Sequence, residues 1–546
     1  MLSANTPLDA FLHWEETAPN HTFLKQPING KLISYSYSEA GIIARKIAAG
    51  LQDYNLPEKS HVALFSKNCA EWIIADLAIM MAGYISIPIY PTLTSDSIHQ
   101  ILTHSESKAI IIGKLDEFEN QATGISQIPV ISIKGYGNTI GGIWEDIIEE
   151  KPKLESIDIR GEDDLHTIIY TSGTTGMPKG VMHTGGSFMY SAGKFAELFK
   201  LPNRVTLFSY LPLAHVAERL LCNAGLYLGG TISFFDKLET FASDLEKTQP
   251  NLFFAVPRIW TKFREKILES LPDKKLNVLL KIPIVSGMIK KKLKKKLGLS
   301  EAVFMASAAA PAAPDLLKWY QKLGIEIFQG YGMTEDGCVS HFNRPGENRI
   351  GTVGKPIPGI EAKLSGEGEI CIKNECLMKG YFKNPEATAA VFDNSGFLKT
   401  GDQGEYDHDG YLTITGRIKD QFKTDKGKYI SPSFLELALS ANTDIEQICV
   451  VGTGIPQPIA LIITSELGKA KSKSELIESL TKSIEDLNPK VEKHEKIEKV
   501  VIMKEEWSVD NGLLTPSLKV KRNAIEKIHQ PFYLQWFAMD DKVIFE

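Results

Sequence analysis

A chain of 546 residues is too long for one ordinary core, so two or more domains are expected. With 43% hydrophobic and 23% charged residues it has the composition of a globular protein, and a formal net charge of −6 gives no general reason to expect nucleic-acid binding. Residues 1–20 carry Asp9, Glu15 and Glu16 without a long apolar run, which argues against a signal peptide, and six scattered cysteines with no CxxC pair suit reduced thiols in a cytoplasm.

In chain order, residues 36–51 have helical spacing, with Ile42, Ile43, Ile47 and Leu51 recurring three or four apart. Residues 62–65, 84–90 and 109–112 read as short buried strands. The most apolar stretch, residues 73–90, is broken by Asp76, Gly83 and Pro88, so a buried helix followed by a buried strand explains it better than a membrane span. Such alternation predicts an α/β architecture with largely parallel sheets. Around residues 273–298 the chain turns lysine-rich and partly apolar. Residues 361–416 become short alternating strands punctuated by Gly366-Glu367-Gly368 and Asp407-His408-Asp409-Gly410, the pattern of a β-rich subdomain built from hairpins. A helix and strand mixture resumes beyond Gly416, and the boundary is placed between domains 1–418 and 419–546.

Ile168-Ile169-Tyr170 should end a buried strand, and Thr171-Ser172-Gly173-Thr174-Thr175-Gly176-Met177-Pro178-Lys179-Gly180 comes directly after it. Glycines let consecutive backbone N–H groups converge on an anion, the hydroxyls add donors, and Lys179 adds a mobile cation. The loop can therefore hold a polyphosphate. Pro178 stands before the lysine where a Walker A loop needs glycine, which disfavours a P-loop GTPase or kinase. The ten residues resemble the signature loop of the adenylate-forming (AMP-binding) superfamily, and the likeness continues in order over residues 72–522.

The resemblance implies a large N-terminal domain of stacked α/β subdomains plus a β-rich subdomain, followed by a small mobile α+β C-terminal domain. It implies ATP, Mg²⁺ and CoA as co-substrates, with Thr171 and Glu335 near the metal. In Gln329-Gly330-Tyr331-Gly332-Met333-Thr334-Glu335, Tyr331 offers a flat face for adenine, with Gly332 beside it, and Thr334 and Glu335 match residues near the α-phosphate and magnesium. Ser307-Ala308-Ala309-Ala310-Pro311 looks like the small-residue segment against adenine, with alanines such as Ala309 where glycines are more usual. Asp402 matches the ribose-binding aspartate, since one carboxylate can accept from two hydroxyls, and Arg417 matches the arginine that joins it. His215, within residues 209–219, resembles the histidine bordering the acyl carboxylate in long-chain acyl-CoA synthetases. Arg219 stands where some bacterial relatives carry a tryptophan gate. Lys419 matches the hinge pivot, Lys423 lies in the segment after it that lines the pantetheine tunnel, and Lys519 matches the lysine that enters the site during adenylation. Adjacent Lys521 and Arg522 read as solvated cations.

The expected activity is that of a fatty acid–CoA ligase acting through an acyl-adenylate. The alternatives are transfer to a separate carrier protein, for which the absence of a carrier domain after Arg522 is the counter-expectation, and a catalytically silent lipid-binding scaffold. A light-emitting oxygenase fits residues 209–219 less well. Lys290, Lys291, Lys292, Lys294, Lys295 and Lys296 read either as a solvated helix or as a basic element touching anionic lipid, which would place a cytoplasmic protein at the inner membrane face. Oligomeric state and acyl chain length are not written in any motif.

Overall fold

The computed structural model describes residues 2, 4–125, 127–171 and 178–546. The first predicted helix spans Tyr37–Gln52 and starts where expected, because Ser36 and Glu39 form a reciprocal capping box that satisfies orphan N–H groups. Its buried face is Ala40, Ala44, Ile47, Ala48 and Leu51. Ile42 points outward at 43% exposure, so the row that includes it is one residue out of phase with the core.

Strands His61–Phe65, Ile85–Ile89 and Ala109–Ile112 pair in parallel, and the helix Ala70–Met81 lies between the first two in sequence. Alternate residues of the central strand serve different cores, Val62 and Leu64 on one face and Ala63 and Phe65 on the other. A strand covered on both sides loses polar alternation, which is why this run reads as continuously apolar. Among the described residues these strands belong to an eight-stranded sheet that continues through Leu165–Thr171 and Lys179–Thr184 to Gly380–Tyr381. A nine-stranded sheet contains the parallel strands Leu252–Ala255, Phe304–Ser307 and Phe328–Tyr331. The largest apolar core draws on both sheets, Leu64 and Ile111 from one and Ile232 and Phe304 from the other, with Trp72, Phe195 and Leu220 from the helices packed with them.

Residues 361–417 form the predicted hairpin sheet: Glu361–Leu364, Glu369–Lys373, Leu398–Tyr406 and Leu412–Arg417, antiparallel throughout. Gly368 and Gly410 take positive φ at the turns, where an L side chain would be strained. After Arg417 comes a short turn, Ile418–Asp420, and then the smaller C-terminal domain. Its four-stranded sheet alternates with period two: Val450, Ala460, Ile462 and Val500 face one core, while Cys449, Val451, Leu461 and Val501 face another. Helix Lys473–Leu487 covers the first face, and Arg522–His529 with Tyr533–Ala538 covers the second. The domain touches the larger one through an Arg258–Glu446 ion pair and through Leu437 and Ala441. No helix among the described residues is long and apolar enough to cross a membrane.

Candidate active site

Parallel strands deliver the site. Ser307 and Tyr331 end neighbouring strands, and loops past the carboxyl ends of such strands are the ordinary place for a ligand crevice. The chain on either side of Tyr331 packs tightly against Phe342 and Cys338. A Cβ on Gly330 would lie 2.3 Å from the Phe342 ring, and one on Gly332 would lie 2.7 Å from the Cys338 backbone, so glycine is sterically required at both. Ala309 sits in the left-handed region at φ +67°, a conformation that explains why glycine suits this segment and that stores a modest strain here.

Asp402 is the hub. It is buried at 6% exposure and stands opposite Arg417 across an antiparallel pair. The Tyr331 hydroxyl donates to its Oδ2 at 2.6 Å, and Arg417 Nε donates to its Oδ1 at 2.6 Å. Each carboxylate oxygen keeps a second lone pair for a further hydroxyl. Glu335 lies in the turn Thr334–Asp336, buried, and its Oε1 accepts from the Tyr381 hydroxyl at 2.8 Å. Burial raises its pKa, while the Tyr381 bond and the charges of Arg417 and Lys179 oppose that rise. Lys179 stacks 4.6 Å from the Tyr381 ring centre and is paired across its hairpin with Thr171. Thr171 and Lys179 thus form the two stems of the expected phosphate loop and meet Glu335 through Tyr381. Ser172, Gly173, Thr174, Thr175 and Gly176 lie outside the described residues.

Lys519 reaches this cluster from the C-terminal domain. A tight loop presents it: Thr515 N–H donates to the Lys519 carbonyl at 2.8 Å, Lys519 N–H donates to Thr515 Oγ1 at 3.0 Å, and Leu518 turns the chain at φ +60°. Although the residue as a whole is exposed, its ammonium feels the cleft. Removal from water lowers its pKa first and Arg417 lowers it further, against the pull of Cys338, Asp402 and Glu335. The same charge acts on His215, whose pKa falls to about 3 chiefly through burial. His215 Nδ1 accepts the Ala217 N–H at 3.1 Å, so the neutral ring keeps Nε2–H as its free donor. Lys419 and Lys423 stay exposed on the hinge side, with Lys423 over the Tyr429 ring at 5.6 Å. Neither joins the Asp402 cluster in this arrangement.

Several supporting residues carry no motif signal. His183, neutral with a pKa pushed down to about 4 by burial, donates Nε2–H to the Thr334 carbonyl at 2.7 Å. Asp336, raised to about 7 by burial, accepts from the Met333 and Cys338 N–H groups and shapes the turn that carries Glu335. Asn68 bonds Ser209, the Leu211 carbonyl and the Leu213 N–H, and so holds the segment leading to His215. These partners lie more than a hundred residues apart in sequence, except Asp336, whose acidic character within a turn is unremarkable.

Two ionisable side chains, Glu218 and Arg219, are fully interior. Arg219 donates to Asp76 Oδ2 at 2.8 Å and to His166 Nε2 at 3.0 Å, with its guanidinium 5.3 Å from the centres of both the Trp72 and Phe188 rings. Such a clamped arginine cannot swing as a gate without stranding Asp76. Glu218 accepts the Tyr210 N–H at 3.1 Å beside an apolar cavity lined by Leu207, Phe208, Cys222 and Phe254, and burial raises its pKa to about 8. Between its ordinary 4.5 and about 8 the unfolded chain releases this proton while the folded chain keeps it. Rising pH therefore favours unfolding across that window. Glu218→Gln should remove this dependence: its stability advantage over the parent should grow from pH 4.5 to 8 by on the order of a few kcal/mol, read from denaturant melts at a series of pH values. A constant difference across the window would refute the buried proton.

Known proteins share this architecture. The model for "AMP-binding enzyme" matches residues 11–382, and that for "AMP-binding enzyme C-terminal domain" matches residues 419–531. The chain belongs to the AMP-binding enzyme family. Among its relatives are the peroxisomal long chain acyl-CoA synthetase 7 of Arabidopsis thaliana, 28% identical over 94% of this chain and 84% of the relative, and the long-chain-fatty-acid–CoA ligase FadD15 of Mycobacterium bovis, 29% identical over 94% and 93%. Solved AMP-binding folds superpose over nearly the whole chain. The A-PCP didomain of carboxylic acid reductase from Segniliparus rugosus, in complex with AMP, gives a TM-score of 0.81 at 21% identity, covering 98% of this chain and 83% of that one. The anthranilate CoA ligase AuaEII in complex with anthranoyl-AMP gives 0.77 at 21% identity, covering 97% and 98%.

Proposed function

We propose that this chain is an ATP-dependent fatty acid–CoA ligase, organised as an adenylation domain of residues 1–418 and a mobile domain of residues 419–546. The observation that carries the reading is the cluster in which Tyr331, Arg417 and Asp402 bond one another while Lys519 shares their field from the other domain. The relatives' names supply the fatty substrate. Asp402 would take the ribose hydroxyls and Tyr331 the adenine face, with Ala309 and Gly332 beside it. Thr171, Lys179 and the loop between them would hold the phosphates. Glu335 is the described carboxylate suited to magnesium, and no group of three metal-ligating side chains occurs among the described residues, so phosphate oxygens and water would complete the shell of Mg·ATP as substrate.

The carboxylate oxygen attacks the α-phosphorus, and the bond to pyrophosphate breaks. Lys519 offsets the repulsion of the two anions, Thr334 lies beside the phosphate, and the neutral Nε2–H of His215 orients the carboxylate. Turning about Lys419 then withdraws Lys519, brings Lys423 toward the pantetheine path, and lets the CoA thiolate displace AMP from the acyl carbon. The surroundings of this reading are a fatty carboxylate, CoA and, through the lysines of residues 290–296, an anionic membrane face on the cytoplasmic side. Pyrophosphate release measured over carboxylates of graded length, with and without CoA, tests it. Release that rises with chain length and ends in a CoA thioester is expected. Release without thioester would move the acceptor to a carrier protein, and no release with any carboxylate would end the ligase reading.

A further inference from the structure

The lysine-rich region folds as two short helices, Asp273–Leu279 and Pro283–Lys296, with Pro283 starting the second. The second helix has two unlike faces. Ile289, Leu293 and Leu297 pack inward against the core that contains Trp260 and Leu316. The outward row begins with Ile284 and Met288 and continues with Lys291, Lys292, Lys295 and Lys296, all exposed. Ile284 is 79% and Met288 68% exposed, and the preceding corner adds Val278 at 60% and Ile282 at 47%.

None of these four apolar side chains serves the core, and a merely solvated helix has no use for them. Single exposed apolar residues are ordinary, but four at one corner beside a basic row form a patch. Lys274 to Ser300 contains nine lysines and no aspartate, glutamate, arginine or aromatic residue, in a chain of formal charge −6. Among the described residues none of the nine makes an ion pair. Nucleic-acid surfaces favour arginine and stacking rings, which are missing here. Aliphatic residues that can enter the headgroup layer, backed by lysines that stay at its surface, match an anionic bilayer.

We infer that this corner docks the protein on a membrane surface bearing anionic lipid, with Val278, Ile282, Ile284 and Met288 inserted and the outward lysines on the headgroups. Two signals are needed because a single weak one gives only marginal attachment. The docking stands independently of catalysis. Its use, drawing a fatty carboxylate from the bilayer, rests on the proposed ligase function.

Sedimentation of the full chain with phosphatidylcholine vesicles containing phosphatidylglycerol, and with phosphatidylcholine alone, tests the inference. Binding to the anionic vesicles should weaken as salt rises. Joint replacement of Lys291, Lys292, Lys295 and Lys296 by Gln should weaken it at least ~100-fold. Ile284→Ser with Met288→Ser should weaken it ~10-fold or more. All six side chains are exposed, so unchanged thermal unfolding and unchanged pyrophosphate release from a water-soluble carboxylate establish that the variants are intact. Absence of binding by the parent chain, equal binding to neutral vesicles, or indifference to either variant overturns the inference. Binding to an acidic protein or to RNA without binding to vesicles overturns it as well.

Discussion

Lys519→Ala should lower acyl-adenylate formation by about 10²–10³ while leaving CoA thioester formation from supplied acyl-adenylate nearly unchanged. The asymmetry comes from where the cation sits. In this arrangement Lys519 shares one electrostatic cleft with Arg417, Asp402, Glu335 and His215. A carboxylate approaching a phosphate brings two anions together, and a point cation between them acts most strongly on the pentavalent state. Once the mixed anhydride exists, that repulsion is gone and the lysine has nothing to offset. The two half-reactions should be timed separately, pyrophosphate release for the first and loss of acyl-adenylate for the second. An equal loss in both would remove the rotation of the C-terminal domain from the mechanism. Lys519→Arg should recover little, because the short Thr515–Lys519 loop presents a slender stem and a planar guanidinium needs a wider berth.

Arg522→Ala should destabilise the C-terminal domain by about 3–5 kcal/mol without touching the nucleotide cluster. The sequence reads the cations of that segment as solvated, and for Arg522 this is wrong. Its Nη2 donates to Glu436 Oε1 at 2.5 Å, and its Nη1 donates to the Val450 carbonyl, with only 12% of the side chain exposed. Burial is the largest single influence and works against its charge, yet Glu436, Cys449 and Asp420 together outweigh burial and raise its pKa. Glu436 also accepts the Val450 N–H at 2.7 Å, so one ion pair ties helix Pro432–Leu439 to strand Ile445–Val451 and to the start of helix Arg522–His529. Truncating the arginine leaves the largely shielded Glu436 without its cation, whereas replacing both by apolar residues of similar size should restore much of the stability. Chemical denaturation of the single and double variants separates these outcomes. A single variant within about 0.5 kcal/mol of the parent would return Arg522 to the solvated class.

Much of the fold was legible in short runs. The parallel strands announced themselves as continuous apolar segments because both of their faces are covered. The hairpin sheet was visible because its turns need Gly368 and Gly410 between alternating residues. The out-of-phase Ile42 marks the limit of such reading, since helical spacing identifies a stripe while only packing decides which side of it faces inward.

The site divides in the same way. The sequence by itself determined the proposed nucleoside and phosphate set, including Tyr331, Glu335, Asp402, Arg417 and Lys519, because short motifs in a fixed order resemble those of the family. Tertiary structure alone decided the partners that orient them. His183 reaches the Thr334 carbonyl, Tyr381 reaches Glu335, and Asn68 holds the chain before His215, all across sequence gaps that no spacing encodes. It also decided which charges are interior. Arg219 stands at a gate position in sequence and Arg522 looks like a solvated cation, and each became structural when folding placed a carboxylate against it with little access to water. A residue's chemistry is written in its own side chain, but its solvation and its partners are properties of what the rest of the chain brings beside it.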